Sequence, residues 1–242
     1  DLIDDKASLA GMTDVYDAAI DASLTWAIRH QTQEMGLDEA PAAIAVIGMG
    51  RYGGREVNFS SDADVIIIYR PSDNADDNQA NLFARKVQED LRAILQGPTT
   101  LEPKIELDMD LRPEGKNGPL VRSYASCEEY YRSWASTWEH QALLRARYAA
   151  GDAALAEDFL MNVADPLRYP KIDLTEAQVA EIRKLKARME QEFTAVRRKM
   201  QGITQLGQTI EAVKRYTNKD LKVLGIVLTK HNTRDRKSTR LN

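Results

Sequence analysis

A turn of glycines that runs into two spaced carboxylates constrains this chain more than any other feature. Gly48-Met49-Gly50-Arg51-Tyr52-Gly53-Gly54 is followed by Ser61, Asp62, Ala63 and Asp64, then by the apolar run Val65-Ile66-Ile67-Ile68-Tyr69. Side chains two apart on a strand point to the same side, so Asp62 and Asp64 are expected to converge beside a backbone that can approach a phosphate closely. Two carboxylates that share a site repel unless something positive lies between them. A divalent metal carrying a nucleotide's phosphates is the natural occupant. The plainer reading is an acidic turn before a core strand, since Asp and Ser are ordinary turn residues.

The same glycines spell G-x-G-x-x-G, and the apolar stretch from Ala42 to Ile47 supplies a preceding strand. A dinucleotide-binding unit also needs a crossover helix and an acid about 20 residues further on. The next strand starts about eight residues after Gly54, too few for a parallel crossover, and the acids come before it. Nucleotidyl transfer is therefore preferred over dinucleotide binding.

A second acidic segment argues against the plain turn. In 104–112, Ile105, Leu107, Met109 and Leu111 alternate with Glu106, Asp108, Asp110 and Arg112. This is the period-2 pattern of a half-buried strand. Three consecutive acids on one face repel each other. If this strand lies beside the Asp62/Asp64 strand, three or four carboxylates meet, the ligand set of a site with two metals roughly 3.5–4 Å apart.

Three long motifs carry a resemblance: G-M-G-x-x-G-G-R-E-x-N-F-S-S-D-x-D from Gly48, L-D-x-x-L-R-P-x-G-x-x-G-P-L-V from Leu107, and T-W-E-x-Q-A-L-L-R-A-R from Thr137. From about residue 40 to about 195 the chain resembles the glutamine-synthetase adenylyltransferase family, within the DNA-polymerase-β-like nucleotidyltransferases. The resemblance implies an α+β fold, a mixed sheet with flanking helices followed by a helical region. It makes Asp62 and Asp64 the paired metal ligands and Asp108 the third carboxylate. Asp110 stands where many relatives have Arg and takes no role over. Gly50 and the pair Gly53-Gly54 are both candidates for the phosphate-facing turn, with Ser61 and Arg112 in the nucleotide-binding set. Mg²⁺ or Mn²⁺ as cofactor, ATP as substrate, glutamine synthetase as protein substrate and a PII-type signalling partner are all implied. Family members carry two catalytic halves, one attaching AMP to a tyrosine of glutamine synthetase and the other removing it by phosphorolysis. Thr137 to Arg147 looks more like the adenylylating half. The alternatives are the adenylyl-removing half and a catalytically incomplete regulatory fragment.

Composition fits a soluble enzyme. The 33 basic and 37 acidic residues leave a net charge of −4, without the basic footprint of a nucleic-acid binder. The longest apolar runs, Ala42–Met49 and Val65–Tyr69, fall far short of a membrane span. The start, without Met or signal-peptide character, reads as part of something longer. Cys127 is the single cysteine, which excludes an internal disulfide and makes a reducing cytoplasm the expected setting. Nothing positive within three residues lowers its pKa, so it is not expected to be catalytic. His30, His140 and His231 show no ligand spacing.

The expected organisation is an N-terminal helical segment (1–40), a nucleotidyltransferase domain (41–125), a helical region (126–198) and a tail of doubtful origin (199–242). Helices are predicted at about 12–35, with Val15, Ala18, Ala19, Ala22, Leu24, Trp26 and Ala27 as the apolar face, and at 78–95, with Leu82, Phe83, Val87, Leu91, Ile94 and Leu95 inward. Strands are predicted at 43–48, 63–69 and 104–112, a turn-rich basic loop at 112–119, and helices at 126–135, 137–149, 152–163 and 175–198. Arg145 and Arg147 on the 137–149 helix read either as a surface ion-pair network or as forks aimed at a triphosphate. The segment 201–230 resembles a helix–strand piece of partition-type Walker ATPases, with a helix at 203–216 and a strand at 221–229, but without their G-K-[ST] loop. The end from Arg236 looks like translated adapter sequence. The expectation is a chimeric frame from about residue 198, with the last forty or so residues outside the fold; the alternative is a divergent but genuine C-terminus.

Overall fold

The computed structural model describes residues 5–58, 61–97, 104–170, 173–188 and 190–191. Residues up to 182 form one compact unit and those from 183 another. Of the second, 183–188 and 190–191 are helical, with Lys186 and Glu190 paired at 3.8 Å. The expected tail, with its 203–216 helix and 221–229 strand, lies outside the described residues.

The sheet of the first unit is built on two strands that are apolar on both faces. β1 (Ala42–Gly48) and β2 (Ala63–Pro71) pair antiparallel, with Ala45 opposite Ile68 and Ile47 opposite Ile66. Ile44, Val46, Val65 and Ile67 face one core, and Ala45, Ile47, Ile66 and Ile68 face the other. A strand covered on both faces reads as a continuous apolar run, which explains the unbroken Val65–Tyr69.

Helices α1 (Asp5–Glu34) and α3 (Asp77–Gln96) contribute to the first core. The buried stripe of α1 is Tyr16, Ile20, Leu24 and Ala27, whereas Val15 and Trp26 are exposed, so the expected face is partly wrong. Steps of three and four select one face of a helix, and Val15 and Trp26 fall off it. On α3, Phe83, Val87 and Leu91 are buried as expected, but Leu82 and Ile94 are exposed for the same reason.

Three short strands complete the sheet. β3 (Leu107–Asp108) and β4 (Val121–Ser123) both run parallel to β2, Asp64 pairing with Asp108 and Ile68 with Arg122. β5 (Arg147–Gly151) runs antiparallel on the other edge of β1. The order is β3-β2-β1-β5, with β4 also on β2. This is the α+β mixed sheet with flanking helices that the sequence implied.

Besides β4, which was not among the predicted strands, two elements differ from expectation. The acidic strand keeps its alternating burial, with Ile105, Leu107 and Met109 buried, but pairs only over two residues. The chain turns after Asp108, whose Oδ1 accepts the Asp110 N–H at 2.7 Å, and such local side-chain bonds compete with a ladder. The helix expected over 137–149 stops early: α5 is Thr137–Leu143, and Arg147–Gly151 is strand β5. An open edge of β1 outweighs the helix propensity of Ala-Leu-Leu-Arg-Ala-Arg. The sheet therefore extends past the expected boundary at 125. Helices α4 (Tyr124–Ser133) and α6 (Ala153–Phe159), a π-helical stretch (Leu160–Ala164) and the short α7 (Asp165–Arg168) follow the chain order.

Candidate active site

The site begins where β1 ends. The Met49 N–H still donates to the Asp64 carbonyl at 2.8 Å, so the chain leaves the ladder at Gly50. Gly50 has φ +50° and opens a single helical turn, α2 (Gly50–Gly53). A Cβ at this position would overlap the Asp64 carboxylate. Only glycine fits, by conformation and by space. The Arg51 backbone N–H donates to that same carboxylate.

Asp64 lies on β2 in register with Asp108 on β3, which puts their side chains on one face of the sheet. Asp62 immediately precedes β2. Burial, then the charges of Asp108 and Asp62, push the Asp64 carboxyl from 3.8 up to about 6, against the lowering influence of the Arg51 N–H and its charge. Behind the cluster, the Tyr16 hydroxyl of α1 donates to the Ser61 carbonyl at 3.1 Å. Burial and the Asp62 charge raise the Tyr16 pKa. The Ser61 hydroxyl donates to Asn58 Oδ1 at 2.8 Å, closing a local turn.

Among the described residues no three carboxylate, imidazole or thiol groups stand close enough to share an ion as they are. Asp64 feels the charges of its acidic neighbours, and Asp108 Oδ1 accepts the Asp110 N–H. The donors still suit a hard cation: all are carboxylate oxygens, and a positive ion would relieve the repulsion registered at Asp64.

The glycine pair has a different task from Gly50. A Cβ on Gly53 would overlap the Arg145 carbonyl, and one on Gly54 would lie 2.9 Å from Arg145 Nη1. These glycines let the turn close on the connection between α5 and β5. The arginines named by the sequence are each engaged elsewhere. Arg112 is buried and donates to the carbonyls of Gly118, Met109 and Lys116 at 2.9, 2.8 and 3.0 Å, stapling the loop after β3. Arg145 pairs with Glu56 at 2.6 Å. Arg147 forks onto Asp17 at 3.0 and 2.8 Å and lies 4.9 Å over the Tyr52 ring. Arg51 was missed by the sequence reading, although a cation directly after the second glycine was visible. It is exposed, and its charge bears on Asp64. Lys116 was missed too: its Nζ is 3.0 Å from Asp110 Oδ2, and the hydrogen bond to Asp110, then the charges of Asp110 and Asp108, raise its pKa. Cys127 is buried, and burial pushes its thiol up to about 12.

The family model described as glutamate-ammonia ligase adenylyltransferase matches residues 2–162. The chain belongs to that family. The match takes in α1, which the sequence reading had set apart from the resemblance. The chain is 78% identical over 191 residues to a bifunctional glutamine synthetase adenylyltransferase/adenylyl-removing enzyme of Bifidobacterium longum, covering 79% of this chain and 18% of the relative. Similarly named enzymes of Mycobacterium tuberculosis (48% over 181 residues, 75% and 18%) and Streptomyces coelicolor (44% over 191 residues, 77% and 19%) also match. The chain spans about a fifth of the length of these relatives. Among the described residues no helix is long and apolar enough to cross a membrane.

Proposed function

We propose that this chain carries a nucleotidyl-transfer centre that moves AMP from ATP to a tyrosine of glutamine synthetase, as the adenylylating half of a bifunctional enzyme. The observation that carries this reading is the pairing of Asp64 with Asp108 beside Gly50, with Asp64 held near 6 by burial and by its acidic neighbours. Asp62, Asp64 and Asp108 would hold the divalent cation, Mg²⁺ or Mn²⁺. When bound, such an ion polarises the phosphoryl oxygens and favours the ionised acceptor hydroxyl. Gly50, having no side chain, lets the Asp64 carboxylate lie against the turn backbone. Arg51 and Lys116, flanking the acids from the turn and from the loop, offer cations to the triphosphate. Their role is to orient the α-phosphate in line, so that the tyrosine oxygen forms the new P–O bond as pyrophosphate leaves. The choice of the adenylylating half rests on the Thr137–Arg147 motif. A PII-type regulator and a cytoplasmic setting belong to the same proposal.

The test gives the chain glutamine synthetase, Mg²⁺ and ATP labelled at the α-phosphate. Label should pass to glutamine synthetase, and Asp64→Asn and Asp108→Asn should stop it. Release of ADP from adenylylated glutamine synthetase and inorganic phosphate would instead assign the adenylyl-removing half. A folded chain that binds ATP and does neither would refute the proposal and favour a regulatory fragment.

A further inference from the structure

The Thr137-Trp138-Glu139 motif is not used by the transfer chemistry, yet it contains a buried carboxylate. Glu139 is 2% exposed. Its Oε1 accepts from the Glu114 backbone N–H at 3.1 Å and the Tyr130 hydroxyl at 2.8 Å. Its Oε2 accepts from the Ser136 N–H at 2.8 Å and the Ser136 hydroxyl at 2.9 Å. One carboxylate thus ties α4, the start of α5 and the loop after β3 together. Two bonds, those to Ser136, suffice to cap α5. The bond to Glu114, 25 residues away in sequence, does nothing for the helix.

Among the described residues, Glu114 is one of two non-glycine positions with positive φ, at +66°. Gly115 follows at φ +56°, where a Cβ would lie 3.8 Å from the Trp138 ring. A side-chain-bearing residue in the left-handed region is strained and persists only when its surroundings hold it. Glu114 is held on both sides. Glu139 takes its backbone N–H, and its carboxylate accepts from Arg122 Nη2 at 2.7 Å. Arg122 in turn lies 5.1 Å over the Tyr130 ring. The strained corner sits between Asp110 and Lys116, whose side chains pair at 3.0 Å, and the Asp108 charge also acts on Lys116.

We propose that Glu139 is a positioning residue for nucleotide: by fixing the strained Glu114 corner it holds the 110–118 loop in the form that presents Lys116 beside Asp108. This rests on the reading that the Asp62/Asp64/Asp108 cluster takes ATP with a divalent cation. Glu139 touches neither the acids nor a phosphate; it acts through the loop.

The experiment uses the full chain, wild type and Glu139→Gln, and reads two quantities. Hydrogen exchange of peptides covering 109–119 reports the loop, with β1 and β2 as internal controls. Calorimetric titration with ATP and Mg²⁺ reports binding. In Glu139→Gln the loop should exchange faster while β1 and β2 keep their protection, and ATP should bind about tenfold more weakly, the scale of one lost charged hydrogen bond. A residue of purely structural importance would lower protection everywhere, and that result overturns the proposal. A loosened loop with unchanged ATP affinity, or an unchanged loop, overturns it as well. If Glu139→Gln does not fold, Tyr130→Phe decides by the same two readouts, with smaller changes in the same direction expected and wild-type behaviour overturning the proposal. Failure of the wild type to bind ATP refutes the nucleotide reading itself; binding by the wild type and equally by the variant refutes only the role of Glu139.

Discussion

Replacing Asp64 with Asn should make the metal-free protein more stable while abolishing transfer. Burial and two acidic neighbours raise the Asp64 carboxyl from 3.8 to about 6. A shift of about 2 units at 1.36 kcal/mol each gives about 3 kcal/mol as the ceiling for the cost of ionising it in the fold. The side chain is only partly buried, so solvent screening brings the figure down to about 1–2 kcal/mol. The sign follows from proton counting. Between the unfolded value near 4 and the folded value near 6, the native state binds more protons than the unfolded one, so stability falls as pH rises through that window. The full cost is present above about pH 6 and absent below about pH 4. Asp64→Asn should therefore melt about 2–6 °C higher at pH 7.5, with the gain vanishing near pH 4. Adding Mg²⁺ should raise the melting point of the wild type more than that of the variant. Thermal scans across pH, with and without Mg²⁺, measure all of this. An Asp64→Asn protein that melts lower than wild type at pH 7.5, or whose gain persists at pH 4, would show that Asp64 is a structural acid rather than part of a repelling cluster.

Gly50→Ala puts a methyl group against the Asp64 carboxylate at φ +50° and should cost at least about 2 kcal/mol in a urea titration, with loss of ATP binding. Arg147→Lys keeps the charge but loses the fork onto Asp17 and the plane over Tyr52; chemical denaturation should show a loss of about 1–2 kcal/mol. Cys127, buried with its thiol pushed up to about 12, should resist a thiol reagent such as dithionitrobenzoate at pH 8 and react only on unfolding. Prompt labelling of the native chain would contradict that burial.

Much of this protein is legible in the order of its residues. The apolar runs of β1 and β2, the glycine turn and the spaced acids after it are local patterns, and local patterns survive translation into structure because strand period and turn chemistry depend on near neighbours. The family motifs, being long, carried the recognition. What the sequence by itself did not decide is everything set by non-local competition. β5 emerged from a helix-like stretch because β1 offered an edge that residues 100 positions away could fill. The alternating acidic segment shrank to two paired residues because Asp108 found a nearer donor. Gly50 and Gly53-Gly54 look equivalent on paper, and only the approach of Asp64 to the first and of Arg145 to the others separates their tasks. The same holds for the charges. Arg112 finds its carbonyls within its own loop, but Arg145 and Arg147 are committed to carboxylates 89 and 130 residues away, partners that tertiary packing alone chooses.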